Sequence, residues 1–434
     1  MKCHLAARDS ALTLLQRYRT ILGQGIWVLA GQAMTGIFNL GGTRLITQYL
    51  APELYGAANL VQNALVLLRT VFCSPMFNAE LRYYPVAEHG NYLPSMHRVM
   101  RNVLVKAVIG MEVLAIAGGA IWIWGTGGNA RVILVLTVYI VFDVFRTFEM
   151  TIFSAARRQR PAALASAGEA LIRPLLIVGG VSLFGATVNV VVGAIAASIV
   201  VTLLGLYAGT GFERTSGGNA MPPGIAAEMR RYAVPLIPVS ILYWTTSVSD
   251  RYIIQWLSHD LPSVGVYVAG YGLASQPFLI LQAVISLTLR PVYFAAVSRG
   301  DKLHADRTFR TWLALSAAIC LAVTAFIFLF RNVLVGAFLG PKYHNSVVVV
   351  PWIALGYLFC VVEQVFEQYL LAHKRTDAVL VAQLCGAVAS VAVTVSLVAS
   401  FGMVGAAYAC PVYFLIQCLV AGALASSVSA HPRP

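Results

Sequence analysis

Charge is what this chain of 434 residues has least of. Only 11% of its residues are Asp, Glu, Lys or Arg, less than half the ~25% of an average soluble domain, while 59% are hydrophobic. A soluble protein so poor in charge could not cover its own surface, which excludes an ordinary globular domain. No charge run and no Ser/Pro-rich tail marks an appended soluble unit. Cysteine is also sparse. Cys73, Cys320, Cys360, Cys385, Cys410 and Cys418 fall in apolar stretches and Cys3 in a basic tail, so they read as small buried hydrophobes rather than a disulfide framework. Cys-x-x-Cys, His-Glu-x-x-His, Gly-x-Ser-x-Gly and a Gly-rich phosphate loop are all missing, and the eight histidines lie mostly in loops. The sequence calls for no metal, cofactor or nucleophile.

Long apolar runs are what the chain has instead. They predict an all-α polytopic membrane protein with about 12 transmembrane helices, near 24–50, 55–77, 100–124, 131–155, 164–184, 187–210, 232–257, 264–289, 308–330, 347–371, 378–400 and 402–427. Each run suffices for the ~20 helical residues that cross a ~30 Å hydrocarbon layer. The first, from Ile21, is too long for a signal peptide and joins a larger array. The net charge of +13 comes from loops on one side, where most of the 30 Lys and Arg fall. Opposite loops contribute only Arg131, Arg331 and Lys342. This is the positive-inside pattern, so both termini are expected in the cytoplasm. The basic excess needs no nucleic-acid partner.

The two halves repeat one another. Arg44-Leu-Ile-Thr-Gln-Tyr-Leu50 matches Arg251-Tyr-Ile-Ile-Gln-Trp-Leu257, followed by Pro52 or Pro262 and then Gly56 or Gly265. Arg82 matches Arg290. Glu149 and the turn Arg157-Arg158 parallel Glu367 and Lys374-Arg375, and Phe184-Gly185 parallels Phe401-Gly402. Biased composition explains the apolar matches but not the ordered Arg, Gln, Gly and Glu. Each unit holds an even number of helices, so both keep one orientation, as in parallel repeats related by an axis along the membrane normal. The expected organisation is an N-terminal six-helix bundle over 1–210, a Gly/Pro-rich cytoplasmic linker over 211–230 and a C-terminal six-helix bundle over 231–434. The two parallel bundles would rock around a central cavity.

Ionisable residues within spans are expensive and mark candidate sites. Asp143, Arg146 and Glu149 recur every three residues on one helix, Glu169 and Arg173 lie four apart, and so do Glu363 and Glu367. Glu112 stands alone. The candidate substrate-binding residues are Arg69, Arg146, Arg173, Arg44 and Arg251, because guanidinium groups bind phosphate through paired hydrogen bonds. The candidate ion-coupling residues are Asp143, Glu149, Asp250, Glu363 and Glu367. Paired intramembrane charges can equally lock helices together, and Arg44 and Arg251 can snorkel to the outer headgroups. Pro235 and Pro238 open the second unit, where a gating bend and ordinary packing distortion fit equally well.

Arg44-Leu-Ile-Thr-Gln-Tyr-Leu-Ala-Pro-Glu-Leu-Tyr-Gly56, Tyr232-Ala-Val-Pro-Leu-Ile-Pro238, Ser249-Asp-Arg-Tyr-Ile-Ile254 and Val264-Gly-Val-Tyr267 together resemble the polysaccharide transporter family. These are the O-antigen and exopolysaccharide repeat-unit flippases of the multidrug/oligosaccharidyl-lipid/polysaccharide exporter superfamily. The resemblance implies alternating-access transfer of an undecaprenyl-pyrophosphate-linked oligosaccharide across a bacterial inner membrane, through a cationic cavity, with proton or sodium coupling. Its implied partners are the lipid-linked oligosaccharide, membrane lipid, and the glycosyltransferases and polymerase of the same pathway. A cation-coupled multidrug exporter of the same superfamily is the alternative, leaning less well on five intramembrane arginines. A membrane-embedded glycosyltransferase or polysaccharide polymerase would need catalytic acids on a loop, whereas the opposite-side loops carry only Glu53 and Asp260.

Overall fold

A computed structural model describes residues 29–126, 130–210 and 219–430. Cys3, the N-terminal basic segment through Arg19, Arg214 with the first part of the expected linker, and Arg433 lie outside the described residues. Helix α1 covers 29–49. It is followed by α2 (Pro52–Phe72), α3 (Ser74–His89), α4 (Leu93–Thr126), α5 (Arg131–Ala155), α6 (Gln159–Phe184) and α7 (Val188–Thr210). The second half comprises α8 (Ile225–Ala233), α9 (Leu236–Ser258), α10 (Leu261–Ser298), α11 (Lys302–Phe338), a 3₁₀ segment (Pro341–Val348), α12 (Val350–Ala372) and α13 (Thr376–Ala430). The fold is all-helical among the described residues.

Among the described residues, seven helices are long and apolar enough to cross a membrane, or eight when α2 and α3, bent by 49° at Cys73, count as one span. α5 is passed over because Asp143, Arg146 and Glu149 crowd one stretch of it. α9 carries Thr, Ser, Asp250 and Arg251. Large apolar side chains such as Ile109, Val113, Leu321, Leu329 and Leu419 are exposed around the outside, which water would penalise and a lipid chain accepts. Helices α4, α10 and α11 run past the expected span ends by several residues, so their basic turns extend beyond the apolar stretch. The six described cysteines are all free, and four of them are buried.

The repeat extends to the backbone. After α3, Asn91 takes φ 55°, Asn91 N–H bonds Glu88 O and Tyr92 N–H bonds Ala87 O. After α10, Gly300 takes φ 72°, with the matching bonds Gly300 N–H to Val297 O and Asp301 N–H to Ala296 O. The basic turns behave alike. Arg157 and Lys374 both sit near φ 57–58°, and Arg158 and Arg375 each donate five residues back, to Phe153 O and Leu370 O, both at 2.9 Å. These are paired helix-ending motifs that satisfy the last carbonyls. Gly185 and Gly402, also paired in the repeat, take φ 90° and 56°. Gly402 breaks α13 into two arms.

The buried apolar side chains gather mainly into one cluster drawn from residues 50–233 and two drawn from 253–428. Repeat-equivalent glycines meet where the halves touch. A Cβ on Gly56 would lie 2.7 Å from Leu261 O and 2.8 Å from Gly265 N, and one on Gly265 would overlap the Pro52 peptide. α2 and α10 therefore cross backbone to backbone at their N-terminal ends, and only glycine permits it. Helix α8 packs on the first half. Met229 and Ala233 join its core, Tyr83 donates to Glu228 at 3.1 Å, and Arg82 lies 4.5 Å over the Tyr232 ring. Asn219 is tied to the α3–α4 turn through Asn91 O and Ser95.

Candidate functional site

The first-half charges form one network across three helices. Arg69 of α2 brings its Nε to 2.9 Å from Asp143 Oδ2, without the alignment of a hydrogen bond, and donates from Nη1 to Thr147 Oγ1 at 2.9 Å. Arg146 lies between two carboxylates, 3.8 Å from Asp143 and 3.3 Å from Glu169 of α6. Arg173, one turn along α6, pairs with the same Glu169. Asp143 and Glu169 are buried, while the three arginines keep 21–31% of their side chains exposed. Three guanidinium groups thus share two carboxylates.

The hydrogen-bond inventory is also uneven. Arg69, Arg146 and Arg173 each retain a buried Nε–H with no acceptor. An orphaned buried donor costs about 1–3 kcal/mol, a cost that a further acceptor oxygen would relieve at Arg146 and Arg173. Arg173 also lines a recess of about 650 Å³ between α1, α2, α6 and α7, beside Asn39, Thr43, Asn59 and Gln62.

Glu149 belongs elsewhere, although it continues the Asp143–Arg146 stripe. Its Oε1 takes Arg101 at 3.4 Å and the Tyr207 hydroxyl at 3.2 Å. His97 pairs with the fully buried Glu80 at 2.9 Å, a link between α3 and α4 that no sequence pattern announced.

The repeat-equivalent arginines Arg44 and Arg251 are held by partners of their own. Arg44 donates from Nη1 to Gly336 O at 3.1 Å and to Leu339 O, carbonyls at the C-terminal end of α11. One turn on, Thr47 Oγ1 accepts from Gly340 N–H at 2.9 Å, and Tyr343 OH donates to Leu50 O at 3.3 Å. With the Gly56–Gly265 crossing, these contacts seal the halves together at that end. Arg251 is 8% exposed and lies 4.5 Å over the Tyr271 ring, donating to Ser247 O at 3.0 Å. Its neighbour Asp250, 1% exposed, accepts from Tyr267 OH at 2.5 Å. Both are bonded within the second half rather than to Arg69, Arg146 or Arg173.

The second half has a recess of opposite character. It offers a cavity of about 240 Å³ between α9, α10, α12 and α13 and is lined by Glu363, Glu367, Gln364, Gln368, Gln383 and Gln417. Gln383 donates to Glu367 at 3.5 Å, and Gln417 lines the recess with Glu363. The glutamines were not anticipated. The repeated Glu-Gln pair at 363–364 and 367–368 is the signal that could have shown them, since a four-residue spacing puts both pairs on one face.

Comparison with known proteins now has a geometry to meet. The profile of a family described as "Polysaccharide biosynthesis protein" matches residues 99–348, more than half of the chain. Among curated proteins none matches by sequence. Among solved structures, a multidrug resistance MATE family transporter of the MOP superfamily in an inward-facing conformation superposes with a TM-score of 0.71 at 13% identity, over 94% of this chain and 100% of that one. The lipid II flippase MurJ, inward closed, superposes at 0.69 and 13% identity, over 93% of this chain and 87% of that one. A MOP superfamily transporter from Pyrococcus furiosus gives 0.69 and 13%, over 96% of each. A polytopic all-helical chain with these lobes and this profile belongs to the polysaccharide biosynthesis protein family, on the fold shared by the MOP-superfamily transporters.

Proposed function

We propose that this protein is a flippase that carries an undecaprenyl-pyrophosphate-linked oligosaccharide repeat unit across a bacterial inner membrane for O-antigen or exopolysaccharide assembly. The observation that carries the reading is the first-half cluster, in which Arg69, Arg146 and Arg173 share Asp143 and Glu169 and each hold an unbonded N–H. A pyrophosphate brings negative charge and several acceptor oxygens, and guanidinium forks match it. Arg44 and Arg251, given to substrate on sequence grounds, now read as an end seal and a core pair.

Transport would proceed by alternating access between bundles over 1–210 and 231–434, joined by 211–230, with both termini in the cytoplasm. Contacts of Arg44, Thr47 and the paired glycines close the end that the charge pattern assigns to the outside. Rocking would break these bonds and expose the cluster there. Glu363 and Glu367 are the pair we assign to ion coupling, while Asp143, Glu149 and Asp250 serve as counter-ions to arginines or, for Asp250, as a tyrosine acceptor as well. Glycosyltransferases supply the lipid-linked unit and a polymerase consumes it. The protein itself transports rather than catalyses.

The Pyrococcus furiosus structure is described by a reversed polarity of its binding pocket that suggests a different function. A cation-coupled drug exporter is the second reading, favoured by the Glu363–Glu367 recess. A deletion strain complemented with wild type or Arg146→Ala, at matched protein levels, separates the two. The flippase reading expects loss of surface polymer with lipid-linked units retained inside, restored by wild type alone. Normal polymer together with altered drug susceptibility would favour the exporter.

A further inference from the structure

The two recesses hold opposite surpluses of hydrogen-bonding groups. Beside the first recess the unpartnered atoms are guanidinium donors, with Arg173 in its lining. In the second they are acceptors: Glu363 Oε1 and the side-chain oxygens of Gln364, Gln368, Gln383 and Gln417 are all buried without a donor. The glutamine amide nitrogens explain part of this. Gln383 gives its N–H to Glu367 and Gln364 gives its own to Cys360 Sγ at 3.6 Å. Each glutamine so engaged leaves its carbonyl oxygen unserved, at about 1–3 kcal/mol per orphan. Gln383, Gln417 and Glu363 are at most 4% exposed.

An acceptor-rich, donor-poor recess takes a ligand that brings donors. Guanidinium and ammonium groups do so, and so do the hydroxyls of a sugar. Size and lining decide between a bare ion and a larger ligand. A cavity of about 240 Å³ is short of the ~300–1,000 Å³ of drug-sized sites but far more than a dehydrated cation fills, so it leaves room for a ligand beside one. Among the described residues no three His, Cys, Asp or Glu side chains gather as a metal site. Tyr243, Tyr357 and Phe414 form part of the wall, offering aromatic faces to the C–H face of a sugar ring beside acceptors for its hydroxyls. The terminal amide torsion of glutamine is broad, so a small rotation turns each oxygen into the recess.

We propose that the recess between α9, α10, α12 and α13 binds the glycan end of the substrate through the orphaned glutamine oxygens beside the Glu363–Glu367 pair, while the first-half arginines hold its pyrophosphate. This rests on the flippase reading and divides one substrate between two lobes by hydrogen-bond sign. The first sugars select the second half, and the constant pyrophosphate is read by the first. Substitutions in the glutamines then alter which glycans are accepted.

The test measures Kd in nanodiscs for undecaprenyl pyrophosphate, bare and bearing one N-acetylglucosamine, glucose or galactose. The quantity read is the ratio of bare-lipid Kd to sugar-lipid Kd within each protein, so a change in folded fraction cancels. Wild type is expected to bind at least one sugar-bearing lipid about tenfold more tightly than the bare lipid. Gln368→Met and Gln417→Met are expected to cut that gain about fivefold each, the worth of one hydrogen bond. A wild-type ratio of one for all three sugars overturns the glycan site and leaves the pyrophosphate reading standing. A gain that survives both substitutions also overturns it. Failure of wild type to bind any of the four lipids overturns the site and the flippase reading together.

Discussion

Arg146 is the residue whose removal separates charge from architecture. It sits between Asp143 at 3.8 Å and Glu169 at 3.3 Å, yet each carboxylate has a second arginine: Arg69 for Asp143 and Arg173 for Glu169. Arg146→Ala therefore leaves two arginines with two acids, a balanced pair of ion pairs. Breaking a buried pair outright costs about 3–5 kcal/mol because it strands a charge. Here nothing is stranded, so the stability loss should stay near 1–2 kcal/mol, the scale of lost hydrogen bonds. Binding is another matter. One charge-assisted hydrogen bond is worth about 1.5–3 kcal/mol, or roughly a 10- to 150-fold loss of affinity. The assay is equilibrium binding of undecaprenyl pyrophosphate to purified protein in nanodiscs, with thermal unfolding alongside. Arg146→Lys should fall between wild type and Ala, since it keeps the charge but not the fork. Unchanged lipid affinity in a folded Arg146→Ala protein would refute the assignment.

Glu169→Ala makes the opposite case: it leaves Arg146 and Arg173 facing each other without their shared carboxylate. It should cost about 3–5 kcal/mol, seen as a fall in unfolding temperature well beyond that of Arg146→Ala. Arg44→Ala strips donors from Gly336 O and Leu339 O and should loosen the sealed end by about 1–3 kcal/mol. A cysteine placed at Thr43 should then react faster with a thiol reagent added from outside, and an unaltered rate would count against the seal. Gly265→Ala forces a Cβ into the Pro52 peptide, where rigid backbone lies on both sides. Overpacking of about 1–3 kcal/mol should appear as a lower unfolding temperature, and a neutral result would mean that the helices part easily.

The membrane class was legible because composition alone decides it, and the repeat was legible because turns carry sequence. Arg157-Arg158 and Lys374-Arg375 looked alike in one dimension and adopt the same left-handed turn with the same bonds. Individual spans were less so. The bend at Cys73 arises where Pro75 opens α3, and a hydropathy pattern does not register a helix restarting in line. Spacing found the charged stripe, but only the third dimension showed that Glu149 turns to Arg101 and Tyr207 while its stripe-mates face Arg69 and Glu169. Arg44 and Arg251 illustrate the other limit. Their equivalence in the repeat was visible, but a carbonyl-capped helix end and an aromatic face leave no pattern in the chain. The glutamine-lined recess escaped notice because uncharged amides are not penalised as charges are, although each carries a donor and an acceptor that burial must satisfy.

The most direct test reconstitutes the purified protein in liposomes loaded with a fluorescent undecaprenyl-pyrophosphate-linked oligosaccharide, and follows its exposure to a membrane-impermeant quencher or glycosidase. The account predicts leaflet-to-leaflet transfer that is protein-dependent and markedly slowed by Arg146→Ala. Transfer no faster than in protein-free liposomes, with the same preparation moving a cationic drug, would contradict it.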